Sequence, residues 1–118
     1  MIERAYNATR GCVLAERSLK AAAIGQRLKG LLGRASLPRG EALRIAPCNS
    51  IHTFFMRFPI DVLFLDGGGT VLRAIPRIPP WRATRVYPAA REVLELPAGV
   101  IEETGTAPGD RIEYGSAR

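Results

Sequence analysis

Residues 48–66 read CNSIHTFFMRFPIDVLFLD, and the fold turns on how this stretch is read. Two strongly apolar runs meet at Pro59 and carry the only histidine of the chain, His52, with Met56, Arg57, Asp61 and Asp66. Thr53, Phe54 and Phe55 favour extended backbone, so Ser50–Phe58 reads as one strand and Ile60–Leu65 as a second. Pro59 sets its own φ, extends Phe58 and removes a donor, which predicts an edge, a bulge or a strand start. Alternation places His52, Phe54, Met56 and Phe58 on one face and Ile51, Thr53, Phe55 and Arg57 on the other. Both faces are apolar, so this strand is expected to be central and buried. In the second strand Ile60, Val62 and Phe64 oppose Asp61, Leu63 and Leu65.

Working outward, Asp66-Gly67-Gly68-Gly69 is the clearest turn, with Thr70–Ile75 as an antiparallel partner strand. Pro76–Pro88 holds four prolines and reads as an extended arm or ordered loop, with Trp81 packing back onto the body; an aromatic anchor for a partner is the alternative. Arg91–Leu96 alternates as a strand ended by Pro97-Ala98-Gly99. Val100–Thr104 suits one helical turn, and Arg111–Tyr114 a closing strand. Upstream, Glu41–Pro47 is a strand candidate, and residues 2–8 and 12–16 form a hairpin about Thr9-Arg10-Gly11. Between them Ile24, Leu28, Leu31 and Leu32 share one helical face, so Ala21–Arg34 reads as an amphipathic helix weakened by Gly25, Gly30 and Gly33. The pattern predicts a mainly β (or α+β) chain: a compact antiparallel barrel or sandwich-like domain with one short amphipathic helix.

A length of 118 residues supports a single domain over 1–118 with a real core. The chain shows no secretion-signal pattern and no apolar run of membrane-spanning length, so a cytoplasmic location is expected. Cys12 and Cys48 are too few and too far apart for a zinc site or a CxxC pair. One histidine with Asp61 or Asp66 falls short of a metal ligand set, and the triple glycine lacks the context of a phosphate loop, so no metal and no cofactor are expected.

Seventeen basic residues against eleven acidic ones give a net charge of +6, and fifteen of the basics are arginine. Arginine suits carboxylates and phosphates, which keeps an anionic partner in view. The arginines are nevertheless scattered, and a basic, well-solvated surface accounts for them. Nucleic acid is disfavoured because the phenylalanines lie in what reads as the buried strand. An uncovered N-terminal edge strand leaves a monomer or a weak dimer as the expected state.

A carboxylate at Asp61, on an apolar strand, is expensive unless something satisfies it. The structural reading has backbone amides, with Arg34 or Arg57, holding it at a turn or bulge. The functional reading makes His52 and Asp61 an acid/base pair in a small hydrolase- or lyase-type site, with an arginine clamping an anion.

The segment IHTFFMRFPIDVLFLD (51–66), with GLLGRASLPRGEAL (30–43) and VLELPAGVIEETGTAPGDRI (93–112), resembles the DUF192 family of small bacterial and archaeal proteins. The resemblance covers almost the whole chain, with Leu32 where methionine is usual and Ala21 where a capping threonine is usual. It implies a compact β-rich domain and no assigned reaction. Arg34, Asp61 and Glu95 match the family pattern as charged residues in apolar surroundings. The reading that follows is a small binding or accessory domain whose pocket takes an anionic or peptide-like ligand through Arg34, Arg57 and Glu95. Catalysis by His52 and Asp61, or weak nucleic-acid binding through scattered arginines, are the alternatives.

Overall fold

A computed structural model describes residues 2–21 and 36–116. Its strands are β1 (Ile2–Asn7), β2 (Cys12–Ala21), β3 (Glu41–Ile45), β4 (Ile60–Leu65), β5 (Val71–Ile78), β6 (Glu92–Pro97) and β7 (Ile112–Ser116); α1 (Val100–Thr104) lies between β6 and β7. The strands form one sheet in the order β5-β4-β6-β3-β2-β1-β7. Every pairing is antiparallel except β2 with β3. The two ends of the sheet meet at one corner, where Thr70 bridges Arg111 and Val71 N–H donates to Asp110 O at 2.8 Å. The sheet is thereby curled into a half-barrel. Gly69 makes this corner: its φ is +87°, and a Cβ there would stand 2.5 Å from the Ile112 carbonyl oxygen. Only glycine allows that approach.

Strands β4 and β6 are buried along their whole length, as their apolar runs imply. They separate two apolar layers. On one side Leu43, Ile45, Ile60, Val62, Phe64 and Val93 pack under Ile51 and Met56 of the 46–59 loop. On the other Leu63, Leu65, Leu94 and Leu96 pack with Ala5, Leu14, Val100, Ile101 and Ile112. The mainly β, barrel-like class with one short helix is what the described residues show, though the helix they contain is α1. The helix expected over Ala21–Arg34 lies outside the described residues, apart from Ala21, which ends β2.

The expected strand Ser50–Phe58 is not formed. His52 makes an isolated bridge to Ala83, Met56 N–H turns back onto Thr53 O, and Phe55 adopts a φ of +68°. The reason lies at Thr53, which is wholly buried. Its hydroxyl donates to Pro79 O at 2.7 Å and accepts from Arg82 N–H at 2.9 Å. Its own N–H and C=O pair with Arg82 O and Trp81 N–H at 2.7 and 2.9 Å. Local side-chain bonding to the 79–84 loop thus overrides the strand propensity of the phenylalanines. Alternation fails with it, since Ile51, Thr53 and Met56 are buried while Phe54 and Phe55 are exposed.

Strand β5 runs three residues past Ile75, through Pro76, because it is an edge strand and needs no donor there. A register shift between Ile60 and Val62 marks a bulge opposite Asp61.

A second polar knot ties the ends of the chain. Asn7, wholly buried, donates from Nδ2 to Thr106 Oγ1 and Asp110 Oδ2, both at 3.0 Å. Asp110 also accepts from Arg10 Nε and from Ala107 N–H. Burial raises the Asp110 carboxyl, but the hydrogen bonds from Asn7, Arg10 and Ala107 outweigh it and hold it below its ordinary 3.8. A depressed carboxyl stabilises the fold above its unfolded-state pKa, and that contribution is lost as pH falls through the folded value. Asp110→Asn should therefore lower the urea midpoint at pH 7. The gap to the parent protein should narrow below about pH 4. A gap that stays constant through the acid range would rule this carboxylate out as an acid-sensitive tie.

Candidate functional site

Asp61 leaves β4 on the side of Leu63 and Leu65 and is 0 % exposed. Its Oδ1 accepts from Arg77 N–H at 2.8 Å, in the bulge of β5 where Arg77 has a φ of +49°. Its Oδ2 accepts from Gly99 N–H at 3.1 Å and Ile101 N–H at 2.8 Å. Gly99, the residue at the N-cap of α1, has no side chain to cap with, so Asp61 does so from the neighbouring strand. The amide-holding role expected of Asp61 is present; Arg57 and Arg34 take no described part in it.

The pairing of Asp61 with His52 is not met. All three hydrogen bonds to Asp61 come from backbone amides, and His52 belongs to the loop over the opposite face of the sheet. The phases of two alternating runs are independent once the chain between them turns. Glu95, by contrast, lies on the loop-facing side, wholly buried, with Leu43 and Val62 beside it in the sheet. Arg57 is exposed on the loop, and Arg34 lies outside the described residues. Cys12 and Cys48 are not disulfide-bonded, and the Cys48 thiol donates to Ser50 O at 3.1 Å.

What the structure assembles instead is a loop layer of residues 46–59 and 79–91. His52 lines an open cleft of about 380 Å³ with Cys48, Asn49, Ser50, Phe54 and Thr84. Its Nδ1 accepts from Phe54 N–H at 3.3 Å, which leaves Nε2 to carry the proton of the neutral ring. The imidazole stacks on Phe54, with centroids 5.0 Å apart and planes at 25°. Trp81 then meets Phe54 at 6.2 Å and Phe55 edge-on at 4.7 Å. Phe54, Phe55 and Trp81 are 38 %, 65 % and 56 % exposed. Trp81 packs onto the two exposed phenylalanines and not, as the sequence suggests, back onto the body.

Phe55 and Trp81 both have positive φ, +68° and +67°. Bulky side chains rarely hold that conformation, and the surrounding structure must over-determine it. Thr53 does so, with its bonds to Pro79, Trp81 and Arg82 on either side of the aromatic step.

The two loops that carry these rings have charge of one sign. No aspartate or glutamate occurs between Glu41 and Asp61 or between Asp66 and Glu92. Both loops lie inside those gaps and carry Arg57, Arg82, Arg85 and Arg91. Elsewhere six arginines are paired, Arg4 with Glu16, Arg10 with Asp110, Arg39 with Glu103, Arg44 with Glu3 and Glu92, Arg77 with Glu102, and Arg111 with Glu113, while Arg17 and Arg73 show no such pair among the described residues. Among the described residues, Arg57, Arg82 and Arg85 have no carboxylate partner. The two acid-free runs were the available sequence signal for this surface, and they become informative only once the loops are seen to lie together.

Among the described residues, no group of three or more His, Cys, Asp and Glu side chains could hold a metal ion. No helix among them is long and apolar enough to cross a membrane.

Comparison with known proteins returns relatives of matching architecture. A protein of unknown function from Novosphingobium aromaticivorans superposes with a TM-score of 0.81 at 23 % identity, over 95 % of this chain and 84 % of that one. A Sinorhizobium meliloti protein, provisionally described as a transcription regulator, gives 0.80 at 24 % identity over 97 % and 94 %. Both show the fold. In sequence, a UPF0127 protein of Pyrococcus furiosus is 33 % identical over 94 residues, 75 % of this chain and 78 % of its own. One from Thermococcus sibiricus is 40 % identical over 65 residues, which is 55 % of this chain and 42 % of the Thermococcus protein. The model of DUF192, described as an uncharacterized ACR, matches residues 13–114, nearly the whole chain from β2 into β7. The chain belongs to the DUF192 family.

Proposed function

We propose that this protein is a binding module that takes an anionic ligand on the loop layer of residues 46–59 and 79–91. The observation that carries this reading is an exposed aromatic cluster on strained backbone, set in loops that hold arginines and no carboxylate. Rings that contact one another while remaining open to solvent offer an apolar aromatic surface, and the arginines favour negative charge beside it. A binding role fits better than the hydrolase- or lyase-type reading, because Asp61 is committed to backbone amides and faces away from the loop that bears His52. Of the residues expected to bind the ligand, Arg57 lies on this loop layer, and Glu95 lies beneath it.

Trp81 is the only tryptophan, so its emission reports on this surface without a label. Titration with hexaglutamate, inorganic tripolyphosphate and a short oligonucleotide in dilute buffer should perturb that emission with at least one of the three. Arg82→Gln should weaken the response. Silence of Trp81 toward all three polyanions would overturn the proposal.

A further inference from the structure

The occupant that uses both properties of the loop layer is a single-stranded nucleic acid, and we infer that Phe54, Phe55 and Trp81 stack its unpaired bases while Arg57, Arg82 and Arg85 meet its phosphates. This rests on the binding reading above and narrows its ligand class. An acidic peptide would neutralise the arginines but leave the ring faces without a matching partner. A chain that alternates planar rings with a charged backbone satisfies both.

Two features separate this surface from an apolar anchor. The rings form a run, His52 against Phe54, Phe54 against Trp81 and Trp81 against Phe55, with neighbouring centroids 4.7–6.2 Å apart. The planes turn by 25–60° along the run, so bases would stack on the exposed rings of Phe55 and Trp81 in turn. Beside it, the cleft lined by Asn49 and Ser50 offers an amide and a hydroxyl of the kind that meet base edges, while the Thr84 hydroxyl is held by Ile51 and Arg85. A duplex presents neither open ring faces along its length nor free pairing edges, so the exposed rings select unpaired strands. The sequence disfavours nucleic acid only if the phenylalanines belong to the core, and Phe54 and Phe55 do not.

The test titrates the full chain, read by Trp81 emission, with an eight-residue oligothymidylate, a blunt duplex of the same length and hexaglutamate. The single strand is expected to quench Trp81 and to bind at least ten-fold more tightly than the duplex. Three phosphate contacts imply a slope of log affinity on log salt near −2, or about a 20-fold loss between 50 and 200 mM salt. Phe55→Leu should weaken binding by roughly five-fold or more at an unchanged salt slope, because it removes stacking alone. Arg82→Gln, at an exposed side chain, should make the slope shallower by about 0.7. Circular dichroism establishes that each variant is folded, and the arginine variant keeps the test open if Phe55→Leu is not. Equal affinity for strand and duplex, or a folded Phe55→Leu that binds as the parent does, would overturn the stacking assignment. Binding of hexaglutamate without oligothymidylate would overturn it too, while leaving the anion-binding reading intact. No response to any of them would remove both.

Discussion

Asp61→Asn should destabilise the protein by about 2–4 kcal/mol, enough to lower its melting temperature by roughly 10 °C. The carboxylate accepts three backbone hydrogen bonds in a site closed to water. An asparagine has one oxygen for two positions. If that oxygen serves Gly99 and Ile101, the amide NH2 faces the Arg77 N–H, and two donors confront each other without an acceptor. The opposite flip strands two donors instead. Either way a buried N–H loses its partner, and the charge that strengthened the remaining bonds is gone. The loss should be regional before it is global. With five residues, α1 cannot hold itself by its own hydrogen bonds and depends on being anchored. Amide exchange at Gly99, Ile101 and Arg77 should therefore accelerate more than exchange along β4. Asp66→Asn is the comparison: Asp66 Oδ1 accepts from Gly68 and Thr70 N–H in a turn, and an asparagine there closes the same turn, so its effect should stay within about 0.5 kcal/mol. Should Asp61→Asn melt with the parent, the carboxylate would not be the tie between β4, β5 and α1.

That Asp61 needed partners was legible in the sequence, because an acid in the run IDVLFL has nothing apolar to gain from burial. Which partners was not. Arg77 and Gly99 lie 16 and 38 residues downstream, and they reach Asp61 only through the bulge of β5 and the turn after β6. Local signals located the hairpin at Thr9–Gly11, the Asp66–Gly69 turn, β4, β6 and the short helix at Val100, where turn chemistry and apolar pattern agree. The parallel pairing of β2 with β3 and the closure at Thr70 and Arg111 are long-range features that no local window carries. Ser50–Phe58 misleads for a definite reason: its composition suits a strand, yet one buried threonine hydroxyl fastens it to the 79–84 loop. The same event turned Phe54 and Phe55 outward, so the misread strand and the unforeseen aromatic surface have one cause. The helix expected before Gly33 lies beyond the described residues, as does Arg34.

Arg44→Met is expected to cost about 2–4 kcal/mol, straddling the lower end of the range for breaking a buried ion pair because the site is partly wet. Arg44 stands on β3 near the middle of the sheet, with its side chain 20 % exposed. Its Nε donates to Glu92 on β6 at 2.7 Å, and its Nη1 to Glu3 on β1 at 3.1 Å. Its guanidinium plane also covers the Tyr114 ring of β7, 3.7 Å from the centroid. One side chain thus joins four strands that the sheet order spreads over five positions, β6-β3-β2-β1-β7. The Tyr114 phenol is pushed up by burial and by the charge of Glu92, with Arg44 pulling it back, so removing Arg44 should raise it further. Methionine keeps the apolar cover over the ring while deleting the charge, which separates packing from electrostatics. Two carboxylates then face each other's surroundings without a cation. Glu92→Gln in the Arg44→Met background should recover part of the loss, although Glu92→Gln alone destabilises. That change of sign is the signature of a coupled pair. Arg44→Lys should fall between, since an ammonium retains the charge but has no plane to lay on Tyr114 and no fork to hold two carboxylates at once. Additive effects in this double variant and in the matching Arg44→Met/Glu3→Gln one, measured from urea midpoints at pH 7, would mean that Arg44 acts through the tyrosine ring alone. The half-barrel would then owe its curl to apolar packing and the glycine corner, and not to a charge shared between its strands.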